Sequence, residues 1–158
     1  MTTAREIMHS DATCIGASET LLDAARRMRD LGVGALPICG DDDRLQGIIT
    51  DRDIVVRCLA AGGDPATTPA SQLAQGKPFY VDAAADLDEV LQRMSEHRVK
   101  RMPVIDDHRL VGMISEADLA SCGKLSDNQL SQFVEAVKSG PAARVGYPRS
   151  APAASAGR

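Results

Sequence analysis

Two stretches of the chain carry apolar residues at helical spacing. Leu21, Ala24, Ala25 and Met28 form one stripe, and Leu87, Val90, Leu91 and Met94 form the other. A period near 3.6 predicts an amphipathic helix over 21–30 and another over 87–96. Thr20 with Asp23, and Asp86 with Glu89, stand where an N-cap and the third helical residue belong. Gly32 suits the end of the first helix. A short strand precedes each helix, Thr13–Ile15 and Phe79–Val81. Two apolar strands around a polar turn follow it. "GALPIC" and "RLQGIIT" flank Gly40–Asp43, and "RMPVI" and "RLVGMIS" flank Asp106–His108. A second helix is expected after Thr50 and after Ser115. The order is strand, helix, strand, strand, helix, and it occurs twice.

The two halves superpose as sequences. At an offset of 66, Leu21 falls on Leu87, Met28 on Met94, Val33 on Val99 and Pro37 on Pro103. One deletion later the offset is 65, and Arg44, Gly47, Ile49 and Asp53 fall on Arg109, Gly112, Ile114 and Asp118. The expected class is α/β (α+β), with repeat one over 1–63, a Gly/Pro/Thr-rich linker over 64–78 and repeat two over 79–123. Thr3 and Glu6 have capping-box spacing, so "TAREIM" is a brief helix. Ser126 and Gln129 open an amphipathic helix within 124–139, with Leu130, Phe133, Val134 and Val137 on one face. Residues 140–158 are rich in Pro, Ala, Gly and Ser and read as a disordered tail. Met8, Leu22, Ile54, Leu119 and that last helix are too many apolar residues for one core, which predicts a homodimer.

Composition narrows the function. Aromatic residues make up 3% of the 158 and Trp is absent, so the core is aliphatic. No apolar run approaches the ~20 residues that span a bilayer, and no signal-peptide pattern opens the chain, so a cytoplasmic protein is expected. Net charge is −4, although the residues from Ser139 onward hold three Arg and no acid. An acidic body argues against nucleic-acid binding. "HRVKR" at His97–Arg101 is a basic spot against that background. Cys14, Cys39, Cys58 and Cys122 form no CxxC pair, and the three His show no metal-ligand spacing. No paired nucleophile and base or phosphate loop marks an enzyme.

The candidate chemistry lies in "GIITDRDIV" and "GMISEADLA". Each ends an apolar strand in a hydroxyl, Thr50 or Ser115, with Asp53 or Asp118 three residues on. Helix capping accounts for the spacing by itself. The same groups also make a nucleoside holder: an aspartate accepts from ribose hydroxyls, and N-terminal amides with a side-chain hydroxyl favour an anion. Spacing alone leaves both readings open.

The whole layout resembles a tandem pair of cystathionine-β-synthase (CBS) domains, the Bateman module, over about residues 5–122. "REIM", the capped helix, "GALPIC" and "KRMPVI", "RLQGIITDRDI" and "RLVGMISEADL" carry the resemblance together. The chain is also similar to stand-alone actinobacterial CBS pairs of the hypoxic response protein type. The resemblance implies two repeats packed sheet to sheet about a pseudo-twofold axis, with two clefts for an adenosine derivative such as AMP or ATP. No cofactor is required, and the reading is a non-catalytic sensor with an unknown protein partner. In the first cleft Thr50, Arg52 and Asp53 would face Tyr80, Val81, Lys100 and Arg101. In the second, Ser115 and Asp118 would face Thr13, Cys14, Ile15, Gly34 and Ala35. The first holds the cations and is the better phosphate site. An alternative is a ligand-free stress- or hypoxia-response interaction protein using the pair as a dimerisation scaffold. The layout also brings Cys14 near Cys39, which makes a redox-sensitive disulfide a further possibility.

Overall fold

The structure, a computed structural model, describes residues 1–10, 12–74, 78–138 and 144–145. Two mixed α/β units follow the repeated sequence. In the first, β1 (Ile15–Gly16), β2 (Ala35–Cys39) and β3 (Leu45–Thr50) form a sheet in that order, β1 parallel and β3 antiparallel to β2. In the second, β4 (Val81–Asp82), β5 (Val99–Asp106) and β6 (Arg109–Ser115) repeat the arrangement. Both sheets carry a register shift at the equivalent place, between Ile38 and Cys39 and between Val104 and Ile105. The paired strands begin later than expected, at Ile15 and Val81 rather than Thr13 and Phe79, because only the residues opposite Ile38 and Val104 onward find a ladder partner.

The first helix of each unit, α2 (Leu21–Leu31) or α4 (Leu87–His97), starts on the expected cap. The Asp23 amide donates to the Thr20 hydroxyl at 3.1 Å, and the Glu89 amide to the Asp86 carboxylate at 2.9 Å. Gly32 closes α2 in the left-handed conformation, at φ 67°. Arg98 takes the same role after α4, at φ 53°. That region favours glycine, so the two repeats stop their helices with unequal ease. After Thr50, α3 (Asp51–Asp53) gives way to a π-helical turn over Ile54–Leu59, whereas after Ser115 the helix α5 (Glu116–Ser121) stays regular.

Each unit has its own core. Ile15, Leu21, Met28, Leu36, Ile38, Ile49 and Ile54 cluster in the first; Val81, Val90, Met94, Met102, Val104, Ile114 and Leu119 cluster in the second. Pro37 and Ile48 are in register on the sheet face away from this cluster, and both are buried, so that face is covered too. The Leu110 amide donates to Asp43 O at 3.2 Å and joins one repeat to the other.

The chain's first residues and its middle segment are exchanged between the repeats. Helix α1 (Ala4–Ile7) docks on the second repeat: the Ala4 amide donates to Ala85 O at 2.8 Å, Arg5 to Ala83 O at 3.0 Å, and Leu87 to Thr2 O at 3.1 Å. The short 3₁₀ turn Ala70–Gln72 docks on the first repeat through matching bonds. Ala70 donates to Glu19 O at 2.7 Å, Ser71 to Ala17 O at 3.1 Å, and Leu21 to Thr68 O at 2.9 Å. Ala4 and Ala70 are both fully buried, each in the core of the repeat it did not begin. Much of the stretch expected as a linker over 64–78 is thus a structural part of the first repeat, while the first residues of 1–63 complete the second.

Helix α6 (Asp127–Lys138) lays Phe133 and Val137 into the second core, and its Ser126–Gln129 cap is formed. Arg144–Val145, within the stretch read as a disordered tail, pairs parallel to β5 as β7; the rest of 140–158 lies outside the described residues. The residues offered for dimerisation mostly find cover inside the chain. Ile54 and Leu119 are buried, Met8 and Leu22 half-buried, and Phe133 and Val137 buried. Among the described residues, the large exposed aliphatic side chains are instead Leu31, Val55, Val56 and Leu59.

Gly112 is where the N-terminal segment crosses β6. A Cβ there would lie 2.6 Å from the His9 carbonyl and 2.5 Å from the Met8 sulfur. Gly112→Ala is expected to destabilise the fold by about 1–3 kcal/mol through overpacking, read as a lower midpoint of urea unfolding.

Candidate functional site

Both hydroxyl–aspartate motifs form a closed local ring. The Thr50 hydroxyl donates to Asp53 Oδ2 at 2.8 Å and the Thr50 amide to the same oxygen at 3.2 Å; the Asp53 amide returns a bond to Thr50 Oγ1 at 3.1 Å. Ser115 and Asp118 repeat it at 2.6, 2.7 and 3.3 Å. Capping therefore uses one carboxylate oxygen of each aspartate and leaves Oδ1 for another partner. Asp53 Oδ1 faces Arg57 at 3.8 Å, while Arg57 donates to Leu73 O at 2.8 Å. Asp118 Oδ1 meets His9 Nε2 at 2.5 Å.

The strand pairing decides which residues stand beside each motif. Ala35 is the register partner of Thr50, and the Asp51 amide donates to Gly34 O at 3.0 Å. Arg101 is the register partner of Ser115, and Lys100 Nζ lies 3.9 Å from Glu116. Each pre-proline segment is thus the neighbour of the motif in its own repeat, not of the motif in the other repeat as expected, because the antiparallel hairpin sets the start of one strand beside the end of the next. Arg52 and Arg101 are exposed, as is Tyr80, whose carbonyl accepts from Arg93 at 3.3 Å. Ile15 and Val81 have their side chains in the two cores, so only their backbone is left for a ligand. Thr13 is exposed next to Cys14.

Cys14 and Cys39 are joined in a disulfide, with Cα atoms 5.8 Å apart. Arg27 donates to Cys14 O at 2.6 Å and pairs with Glu19 at 3.0 Å, which ties the approach to β1 to α2. Cys58 and Cys122 are free. Among the described residues no three His, Cys, Asp or Glu side chains gather as a metal site, and no helix is long and apolar enough to cross a membrane.

His9 carries no motif that marks it in the sequence. It stands near the start of the first repeat, and nothing in its spacing links it to Asp118, 109 positions away. Only the docking of the N-terminal segment on the second repeat, with His9 and Met113 exchanging backbone bonds at 2.9 and 3.1 Å, brings the two together.

Comparison with known proteins finds the CBS domain model matching twice, over residues 4–59 and 70–123. The second match starts 66 residues after the first, at the buried alanine equivalent to Ala4. Hypoxic response protein 1 of Mycobacterium tuberculosis is 55% identical over 137 residues, which is 87% of this chain and 94% of that protein. The crystal structure of Hypoxic Response Protein I with two coordinated zinc ions is similar at 56% identity and TM-score 0.72, covering 79% of this chain and all of the other. CBSX2 in complex with AMP shares the fold at TM-score 0.67 and 20% identity, covering 77% of this chain and 96% of the other.

At the edge of the basic spot, the His97 ring stacks on Phe79, with centroids 3.5 Å apart. Burial holds the imidazole below its ordinary value, helped by Arg93 and opposed by Glu96. The fold therefore favours neutral His97, and its stabilisation is complete above an unfolded-state value of about 6.5. It is lost as pH falls through that value toward the folded one. The urea midpoint is expected to drop between pH 7.5 and 5.5, with a shallower slope in His97→Phe, which keeps the stack without the titration.

Proposed function

Because the chain belongs to the CBS domain family and carries that domain twice, we propose that it is a non-catalytic regulatory module whose two clefts receive an adenosine-containing ligand. The observation that carries the reading is the pair of aspartates, each spending Oδ2 on its own hydroxyl cap and directing Oδ1 elsewhere. A carboxylate oriented in this way can accept from a ribose hydroxyl, and the amides at the same strand end favour an anion. In the proposed clefts, Thr50, Arg52 and Asp53 work with Gly34 and Ala35 beside them, and with Tyr80 and the Val81 backbone of the other repeat. Ser115 and Asp118 work with Lys100 and Arg101 beside them, and with Thr13 and the Ile15 backbone of the other repeat. Arg52 brings a cation to the Asp53 cleft, and Lys100 and Arg101 bring two to the Asp118 cleft, so both can meet the phosphates of AMP or ATP. Ligand bound between the repeats would shift their packing and so alter a surface seen by a protein partner. The exposed Val55, Val56 and Leu59 support a homodimer through the face of the first repeat. The acidic composition supports neither nucleic acid nor a membrane surface as partner. Zinc belongs among the ligands to test, since the related Hypoxic Response Protein I holds it.

Isothermal calorimetry with adenosine, AMP and ATP tests the reading. Asp53→Ala is expected to weaken AMP by about 1–3 kcal/mol, the usual cost of losing a charged hydrogen-bond partner. Asp53→Asn separates charge from capping, since asparagine remains a short polar side chain. Arg101→Ala is expected to weaken AMP and ATP while leaving adenosine unchanged. Wild-type protein that binds no adenine derivative at millimolar concentration, in the presence or absence of zinc, overturns the reading.

The Cys14–Cys39 disulfide favours a second reading, a redox-sensitive scaffold in a stress response. In a cytoplasm, where the composition leads one to expect this chain, thiols are kept reduced, so the bond would report a change of state. With the cysteines separated by 25 positions in sequence, closure is worth about 3.5 kcal/mol in a chain-entropy treatment. Cys14→Ser is expected to lower the melting temperature of oxidised protein and to leave that of protein held in a dithiol reductant unchanged.

A further inference from the structure

We infer that His9 determines which of the two clefts accepts a ligand, by occupying the ribose-accepting oxygen of the second. The inference rests on the reading of Asp53 and Asp118 as ribose acceptors. The two aspartates are equivalent in sequence and in capping, yet not in what remains available. Asp118 Oδ2 is held by the Ser115 amide and hydroxyl, and its Oδ1 lies 2.5 Å from His9 Nε2. Its side chain is only 10% exposed, and the imidazole sits on the one oxygen that the cap leaves. Asp53 Oδ1 has Arg57 at 3.8 Å, beyond hydrogen-bond distance, and its side chain is 30% exposed.

The contact is built so that it can open without unfolding anything. The His9 backbone is fixed by its two bonds to Met113, and Gly112 lets the segment lie directly on β6. The His9 side chain is 67% exposed. Rotation about its own side-chain torsions returns it to water while the backbone stays in place. A ligand entering the second cleft must displace this bond, and one entering the first meets no such group. At an offset of 66 the residue equivalent to His9 is Gln75, which lies outside the described residues.

Calorimetric titration with AMP decides the matter in an Asp53→Ala background, where only the second cleft keeps its aspartate. Adding His9→Ala is expected to raise affinity about three- to tenfold, and adding Asp118→Ala to that double variant is expected to remove the gain. If Asp53→Ala protein binds AMP and His9→Ala leaves affinity unchanged or lowers it, the inference falls while the ligand reading stands; a loss would mark His9 as a ligand-holding group. If protein with His9 intact is silent and His9→Ala binds, the inference holds in its strongest form. If wild type, His9→Ala and the Asp53→Ala series all fail to bind at millimolar concentration, the ligand reading and this inference fail together. Unfolding midpoints of each variant, and a circular dichroism spectrum matching wild type, separate a lost site from a lost fold.

Discussion

The exchange of short segments between the repeats is the constraint on which the rest of the structure depends. Neither repeat closes its own core. The first needs Ala70 and Leu73, which come after it, and the second needs Ala4, which comes before the first. Three pairs of backbone bonds, each pair related by 66 positions, hold the two insertions in matching places. A strand–helix–strand–strand–helix unit of this size buries little surface by itself. Sharing the insertions makes the stability of each half contingent on the other. Alanine suits both insertion points because its amide must reach a carbonyl of the facing loop while its side chain enters the core. A larger residue would hold the backbone away from that carbonyl.

The same economy appears at the two motifs. An aspartate at the third helical position usually serves the cap and nothing further. Here the cap takes one oxygen of each carboxylate, so a second function does not compete with the first. Capping and nucleoside binding, which the sequence presents as rivals, are compatible in the geometry. What differs between the copies is the surroundings: a nearby arginine held by Leu73 O for Asp53, and a histidine from the N-terminal segment for Asp118. An internal duplication can thus specialise its two halves without altering the motif, through residues elsewhere in the repeats that differ between the copies.

Asymmetry also appears on the helical faces. Helix α6 covers the second repeat with Phe133 and Val137, whereas the π-helical turn of the first leaves Val55, Val56 and Leu59 exposed. Their counterparts at the 65-residue offset are Ala120, Ser121 and Lys124. The first repeat therefore displays apolar side chains where the second has small or polar ones, and the difference belongs to sequence as much as to the covering helix.

The sequence by itself determined whatever depends on local periodicity and on self-similarity. The two capped helices, the hairpins "GALPIC"/"RLQGIIT" and "RMPVI"/"RLVGMIS", the duplicated order and the family were legible because each is specified within ten or so consecutive residues or by a fixed offset. The capping rings at Thr50–Asp53 and Ser115–Asp118 were legible for the same reason, since three residues suffice to close them. Tertiary structure decided everything that joins distant positions. Thr2–Ile7 and Thr68–Leu73 share the offset of 66, yet at six residues each they read as a brief helix of the first repeat and as part of the linker. Only hydrogen bonding to Ala83, Ala85, Ala17 and Glu19 turns them into core elements. The π-helical turn after Asp53 has no local signature, and the bond between Cys14 and Cys39 required β1 to lie parallel to β2. His9 beside Asp118 required the N-terminal segment to dock on the repeat farther from it in sequence. A contact between residues 109 positions apart leaves no periodic trace; chain folding alone brings its two groups within hydrogen-bond distance.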